Sequence, residues 1–317
     1  MPLDEQAETI LRGLNENFPR VETMTGAQAR AATKAGRKAV ADPEPVGSVR
    51  DLEIPGGAGP VAVRIYSPAG HPAEPLPVVV FFHGGGFVIC DLDSHDGFCR
   101  AMCNGIGAVV VSVDYRLAPE SQWPAAADDA YAATCWVAQH AREFGGDPDR
   151  LLVAGDSSGG NLAAVAALMA RDREAPAVAG QLLVYPVIEP VFDTESYEQF
   201  AEDHFLTRSA MQWYWDQYLP THREAVPAYA APVRAEDLGG LPPAIVITAE
   251  RDPLRYEGEK YAAALADAGV PVQCRRVEGM FHGFLTIDAM VAAQTARGEL
   301  WPQLRTLMAE PAHTPSD

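Results

Sequence analysis

Residues 155–160 read Gly155-Asp156-Ser157-Ser158-Gly159-Gly160 and lie between the apolar run Leu151-Leu152-Val153-Ala154 and the longer apolar stretch from Asn161 to Met169. A short apolar run that passes through small residues into a longer helical pattern predicts a strand, a tight turn and a helix. Strand and helix can follow each other so abruptly only if their backbones approach closely, and Gly155 and Gly159 permit that because they carry no Cβ. A serine between two such glycines, in the pattern GxSxG, is held on a strained turn with its hydroxyl exposed. Ser157 is therefore the candidate nucleophile. The same residues also read as a glycine-rich loop that cradles a phosphate at a helix N-terminus.

An elbow serine needs a base, an orienting acid and donors for an oxyanion, with the three side chains in the chain order serine, acid, histidine. His83-Gly84-Gly85-Gly86 closes the strand-like run Val78–Phe82. Its glycines can turn bare N–H groups toward a developing oxyanion, and the Ser158 N–H can add another donor; a plain glycine turn explains the same four residues. Asp252 follows the apolar run Ala244–Ala249 and precedes Pro253, which is suited to opening a helix. That position suits a loop acid and equally an ordinary helix cap. Glu250 is the nearest rival carboxylate and Asp288 a more distant one. Of the eight histidines, His282 alone lies after Asp252 in a loop that follows a predicted core strand, since His313 stands in the polar tail.

Together these segments resemble the bacterial hormone-sensitive-lipase-like esterases and lipases of the α/β-hydrolase superfamily. The resemblance runs from about Val78 to Phe284. It rests on His83-Gly84-Gly85-Gly86-Phe87, Asp114-Tyr115-Arg116-Leu117-Ala118-Pro119-Glu120, Gly155 to Asn161, Asp252-Pro253-Leu254-Arg255 and His282-Gly283-Phe284. It implies hydrolysis of small-molecule carboxylic esters of short to medium acyl chain by Ser157, His282 and Asp252. It further implies oxyanion donors at Gly85, Gly86 and Ser158, with Gly84 shaping the loop, and no metal or organic cofactor. Ser158 stands where the family commonly has alanine, and Tyr256 where an aspartate often follows. A homodimer is compatible with the resemblance alone. Lactone or peptide-amide hydrolysis could use the same triad, and a ligand receptor on a decayed hydrolase fold would normally lack one of its members.

Composition agrees with this reading. The chain has 317 residues, 48% of them hydrophobic, enough for a large α/β core. Its net charge of −19 argues against nucleic-acid partners and anionic membrane surfaces, which require clustered lysine and arginine. The acidic start, with Asp4, Glu5 and Glu8, and the absence of a long apolar run predict a cytoplasmic protein without membrane insertion. The five cysteines are odd in number and complete no zinc ligand set, so they read as reduced thiols.

Strand signals fall near residues 46–54, 61–66, 77–82, 108–114, 150–155, 179–185, 243–249 and 271–277, with helical stretches between the later ones. They predict an α/β fold: a mostly parallel eight-stranded sheet flanked by helices, with the ligand site beyond the strands' carboxyl ends. The core is expected at 46–186 and 228–310, the cap at 1–45, with helices over Leu3–Phe18 and Gly26–Val40, and at 187–227, and a disordered tail at 311–317. Phe87, Phe205, Leu206, Trp213 and Phe281 are the expected pocket residues; about half of the aromatic residues of the second cap segment are expected to anchor it to the core. Between Glu189 and Thr207 stand six acids and no lysine or arginine. Asp114, Arg116 and Glu120 are expected to form an internal ion-pair network, and Asp156 either to orient neighbouring loops or to satisfy backbone donors.

Overall fold

The computed structural model describes residues 5–37, 42–70, 74–220 and 226–309. Eight strands form one sheet: β1 (Ser48–Gly56), β2 (Gly59–Ser67), β3 (Leu76–Phe82), β4 (Val109–Asp114), β5 (Gly146–Asp156), β6 (Gly180–Val184), β7 (Ala244–Arg251) and β8 (Val272–Phe281). Their order across the sheet is β1-β2-β4-β3-β5-β6-β7-β8. β1 and β2 run antiparallel, β2 meets β4 antiparallel, and every later pairing is parallel. The expected mostly parallel sheet is what forms, and each strand signal falls on a strand.

The central strands read as continuous apolar runs because both of their faces are covered. On β3, Val78, Val80 and Phe82 enter one buried cluster while Val79 and Phe81 enter the other, as a side-chain period of two requires. The first face is covered by α4 (Ala125–His140), α5 (Ser158–Asp172) and α8 (Arg255–Asp267); the second by α3 (Asp96–Ile106) and α9 (Val291–Leu307). Every residue of α5 from Ser158 to Ala170 is buried, so this helix lies deep against the sheet and cannot drift from the strand it follows.

Four further helices lie outside this layering: α1 (Glu5–Asn17), α2 (Gly26–Gly36), α6 (Glu195–Phe200) and α7 (Arg208–Tyr218). The N-terminal segment meets the second segment directly. Asn15 Nδ2 donates to Asp203 O and Asn15 Oδ1 accepts the Phe205 N–H, both at 2.8 Å, while the Phe18 and Phe205 rings meet edge to face at 4.9 Å. On the other side, Arg30 of α2 donates to the carbonyls of Val88 and Ala118. The second expected N-terminal helix starts at Gly26 as read from the sequence but ends at Gly36, before the expected Val40, because Arg37 takes an extended conformation; the expected start at Leu3, Val40 itself and the tail from 310 lie outside the described residues.

The charged residues of the Asp114–Glu120 segment do not pair with one another. Arg116 binds the buried Asp129 through two nitrogens at 2.7 and 2.9 Å, and Glu120 pairs with Arg30. The segment leaves β4 in an extended turn, which points successive side chains to different neighbours. Among the described residues, no helix is long and apolar enough to cross a membrane, and all five cysteines are free.

Candidate active site

Strand ends assemble the site. β5 ends at Asp156 and α5 begins at Ser158, so Ser157 alone makes the turn, at φ 56° and ψ −121°. A non-glycine residue held there costs on the order of 1–3 kcal/mol and persists only where its surroundings enforce it. Here the Ser157 N–H donates to Val184 O at 2.9 Å, and Ser157 O accepts from Val187 N–H at 3.1 Å and Asn161 N–H at 3.2 Å. The flanking glycines are required by contact. A Cβ on Gly155 would stand 2.1 Å from Gly159 O, and one on Gly159 1.9 Å from Phe82 O.

His282 directly follows β8, which runs four residues further than the sequence pattern indicates, and Gly283 turns the chain away at φ 81°. Its Nε2 lies 3.0 Å from Ser157 Oγ and its Nδ1 2.8 Å from Asp252 Oδ2. The other oxygen of Asp252 accepts the Leu254 N–H at 2.8 Å, in a turn that Pro253 occupies before α8 starts at Arg255. All three side chains are buried, Asp252 completely. With Nδ1–H donating to the carboxylate, the Nε2 lone pair faces the serine hydroxyl and can accept its proton. The two rival acids are engaged elsewhere: Glu250 accepts the Gly279 N–H and Asp288 pairs with Arg297.

The His83–Gly86 loop faces this serine across the cavity. Gly85 and Gly86 take φ values of 120° and 59°, in the region that favours glycine, and both line the cavity with Ser157. Tyr115 OH donates to His83 O at 2.7 Å, and the Tyr115 ring stacks on His83 at 4.4 Å. The His83 Nδ1–H donates to Gly84 O at 2.8 Å. Complete burial pushes the His83 imidazole down to about 4, with His95 acting in the same direction. The Gly84 N–H is committed to Asp156 Oδ1 at 2.8 Å, so this carboxylate satisfies a backbone donor of the neighbouring loop.

Above these groups lies a cavity of about 400 Å³, within the range of small-molecule sites. Its wall includes Ser157, His282, Gly84, Gly85 and Gly86, with Leu14, Phe18 and Val21 from the N-terminal segment and Phe205, Leu206, Met211 and Tyr214 from the second segment. Of the five expected pocket residues, Phe205 and Leu206 stand in this wall. The other three do not, for directional reasons. Phe87, at φ 65°, stacks on Tyr218 at 3.8 Å. Phe281 points into the α9-side core, opposite to His282 by strand alternation. Trp213 turns its ring edge-on to Tyr214, and Tyr214 takes the cavity position in its place. Trp215 and Tyr218 anchor α7 to the core, as expected of about half of these aromatics. Leu14, Phe18, Ile89 and Met211 were not singled out from the sequence; an apolar residue in a helix or loop carries no local sign of facing a cavity rather than a core.

Charge at the wall is acidic. Glu22, Glu202 and Asp203 contribute to it, and Arg20, the one lysine or arginine there among the described residues, pairs with Glu22 at 3.0 Å. Among the described residues this wall therefore holds no unpaired lysine or arginine beside Ser157.

The family of the alpha/beta hydrolase fold matches residues 79–286. Esterase LipI of Mycobacterium tuberculosis is 47% identical over 252 residues, 78% of either chain. Carboxylesterase NlhH of the same organism is 40% identical over 302 residues, 92% of this chain and 93% of that one. The crystal structure of a thermostable esterase from Pseudomonas putida ECU1011 superposes with a TM-score of 0.91 at 40% identity, covering 97% of this chain and 98% of the other.

Proposed function

The chain belongs to the hormone-sensitive-lipase-like esterases of the α/β-hydrolase family and is a serine carboxylesterase, and we propose that it hydrolyses small, uncharged esters of short- to medium-chain acids through Ser157, His282 and Asp252. The observation that carries this reading is the unbroken relay from Asp252 Oδ2 through His282 to Ser157 Oγ, with contacts of 2.8 and 3.0 Å. His282 removes the serine proton as Oγ attacks the ester carbonyl. Asp252 holds the imidazole in the tautomer that can do so and stabilises its charged form. The N–H groups of Gly85, Gly86 and Ser158 receive the tetrahedral oxyanion, each donor contributing about 3 kcal/mol to the transition state. His282 then protonates the leaving alcohol, and water, activated by the same imidazole, releases the acid from the acyl-enzyme.

The leaving oxygen must lie beside His282, so the alcohol group occupies the part of the cavity near Gly283, where the Phe205 ring approaches. The acyl chain then runs past Gly86 toward Tyr214 and Met211. A cavity of about 400 Å³ closed by these rings favours acyl chains of a few carbons. The two segments 1–45 and 187–227 act together as the cap over this site, a role supported by the Asn15 and Phe18 contacts with Asp203 and Phe205. The acidic wall disfavours anionic substrates by like-charge repulsion. The free cysteines support a cytoplasmic location; a homodimer rests on the family resemblance and is tested by light scattering after size exclusion.

The test is hydrolysis of a chain-length series of p-nitrophenyl esters by the parent, Ser157→Ala and Ser158→Ala, with folding checked by circular dichroism. Short esters are turned over, Ser157→Ala is inactive, and Ser158→Ala stays active because its hydroxyl is completely buried. Folded parent protein without activity on any ester of the series, or faster turnover of lactones or peptide amides, refutes the proposed substrate class.

A further inference from the structure

The relay above leaves unused a second histidine–aspartate pair in the same cavity. Asp156 precedes the nucleophile, and its Oδ1 accepts the Gly84 N–H, tying the serine turn to the oxyanion loop. The same oxygen lies 3.1 Å from Nε2 of His95, and both side chains are more than nine-tenths buried in the cavity wall. His95 belongs to neither segment. It closes the short helical turn Leu92–His95, where Ser94 and Asp91 cap each other reciprocally. Ser94 Oγ lies 2.9 Å from His95 Nδ1, and Arg37 grips the Asp91 carboxylate through two nitrogens at 2.6 and 2.9 Å. The ring of His95 is thus set by a chain of polar contacts that begins at Arg37, directly after α2.

A carboxylate at this place needs a reason. Attack by Ser157 develops negative charge on the carbonyl oxygen, and a second negative charge one residue away in a water-poor pocket opposes it. Burial works against ionisation of Asp156, yet the His95 imidazole and the Gly84 N–H hold its carboxyl below the usual carboxylate range. Besides these, the His83 ring stands 5.7 Å from that of His95, with its Nε2 4.0 Å from Asp114 Oδ1, and it too favours the charged form of Asp156.

We propose that His95 is a positioning residue for ester hydrolysis: by binding Asp156 it keeps Gly84 and the oxyanion loop in register with Ser157 and draws the carboxylate's charge away from the tetrahedral intermediate. This inference rests on Ser157 being the nucleophile, which the inactivity of Ser157→Ala tests separately.

The experiment measures kcat and KM for p-nitrophenyl butyrate in the parent, His95→Leu, His95→Gln, Asp156→Asn and the double variant His95→Leu/Asp156→Asn, together with the inactivation rate by a p-nitrophenyl phosphonate. Loss of a hydrogen bond to a charged group lowers kcat of His95→Leu by about thirtyfold, with KM within about threefold. Phosphonate inactivation falls in parallel because it places a phosphoryl oxygen that carries negative charge among the same N–H donors. His95→Gln, which keeps an N–H for Asp156, recovers much of the loss. The double variant turns over faster than His95→Leu alone, since no uncompensated carboxylate remains. Unchanged kcat in folded His95→Leu overturns the proposal. So does a loss carried by KM, or one that neither His95→Gln nor the double variant relieves. If His95→Leu does not fold, His95→Asn, whose shorter amide falls short of Asp156, takes its place: its kcat must fall and Asp156→Asn must relieve the fall, and unchanged kcat in folded His95→Asn overturns the proposal.

Discussion

Replacing Asp252 by asparagine isolates the role of a single proton. In the parent, one carboxylate oxygen accepts the Leu254 N–H at 2.8 Å and the other faces His282 Nδ1 at 2.8 Å. Asparagine is nearly the same shape, but only its Oδ1 can accept. The Leu254 N–H is buried with Asp252 and needs an acceptor, so Oδ1 stays there and the Nδ2 amide turns its hydrogens to His282. Nδ1 must then accept, the proton moves to Nε2, and the atom 3.0 Å from Ser157 Oγ no longer carries a lone pair for the serine proton. The same exchange of tautomer in a serine protease triad lowers kcat by about 10⁴-fold, equivalent to about 5.4 kcal/mol of transition-state stabilisation. Stability should change little, because both contacts are kept in altered polarity. Steady-state hydrolysis of p-nitrophenyl butyrate, with a thermal melt on the same sample, measures both quantities. A folded Asp252→Asn variant with more than about a tenth of parental kcat refutes the reasoning, most clearly if Glu250→Gln proves inactive instead.

Three further outcomes follow from the same geometry. The Tyr214 ring lies so close to Gly86 that a Cβ there would meet it at 2.2 Å; Tyr214→Ala should lengthen the preferred acyl chain by about two carbons, at a stability cost of about 2–4 kcal/mol, and an unchanged chain-length profile removes Tyr214 from the acyl wall. Complete burial holds His83 at about 4 against its ordinary 6.5, so between these values the unfolded chain binds the proton that the native state refuses. Its contribution, about 3 kcal/mol, is present above pH 6.5 and lost as pH falls toward 4; urea titrations should show that slope weakened in His83→Gln, and equal slopes contradict it. Arg20 is already paired with Glu22 at the cavity wall, so esters with a carboxylate in the acyl chain should show KM at least about tenfold above neutral esters of equal length; equal KM values would show that the acidic wall does not face the substrate.

Much of the catalytic constellation was readable because its parts are local. Strand, glycine turn and helix around Ser157 announce themselves within about a dozen residues, and a strand's end tells where Asp252 and His282 emerge relative to the sheet. The pocket was less legible. Phe87 and Trp213 have the composition of pocket residues but face Tyr218 and the edge of Tyr214, since a left-handed backbone angle in one case and a helical step of one residue in the other redirect the ring. The network expected within Asp114–Glu120 failed similarly: charge complementarity in a short segment does not say which neighbours its side chains reach.

What the sequence by itself determined is therefore the succession of strands and helices along the chain, the turn that strains Ser157, and the succession of serine, acid and histidine. These depend on backbone preference and hydrophobic period, which act over a few residues. The tertiary structure alone set Asp252 rather than Glu250 or Asp288 against His282, put Tyr214 rather than Trp213 in the cavity wall, brought Leu14 and Phe18 to the cavity, and set His95 against Asp156. Each of those is a contact between segments distant in the chain, and its geometry is fixed only when the packing of both faces of the sheet has placed them.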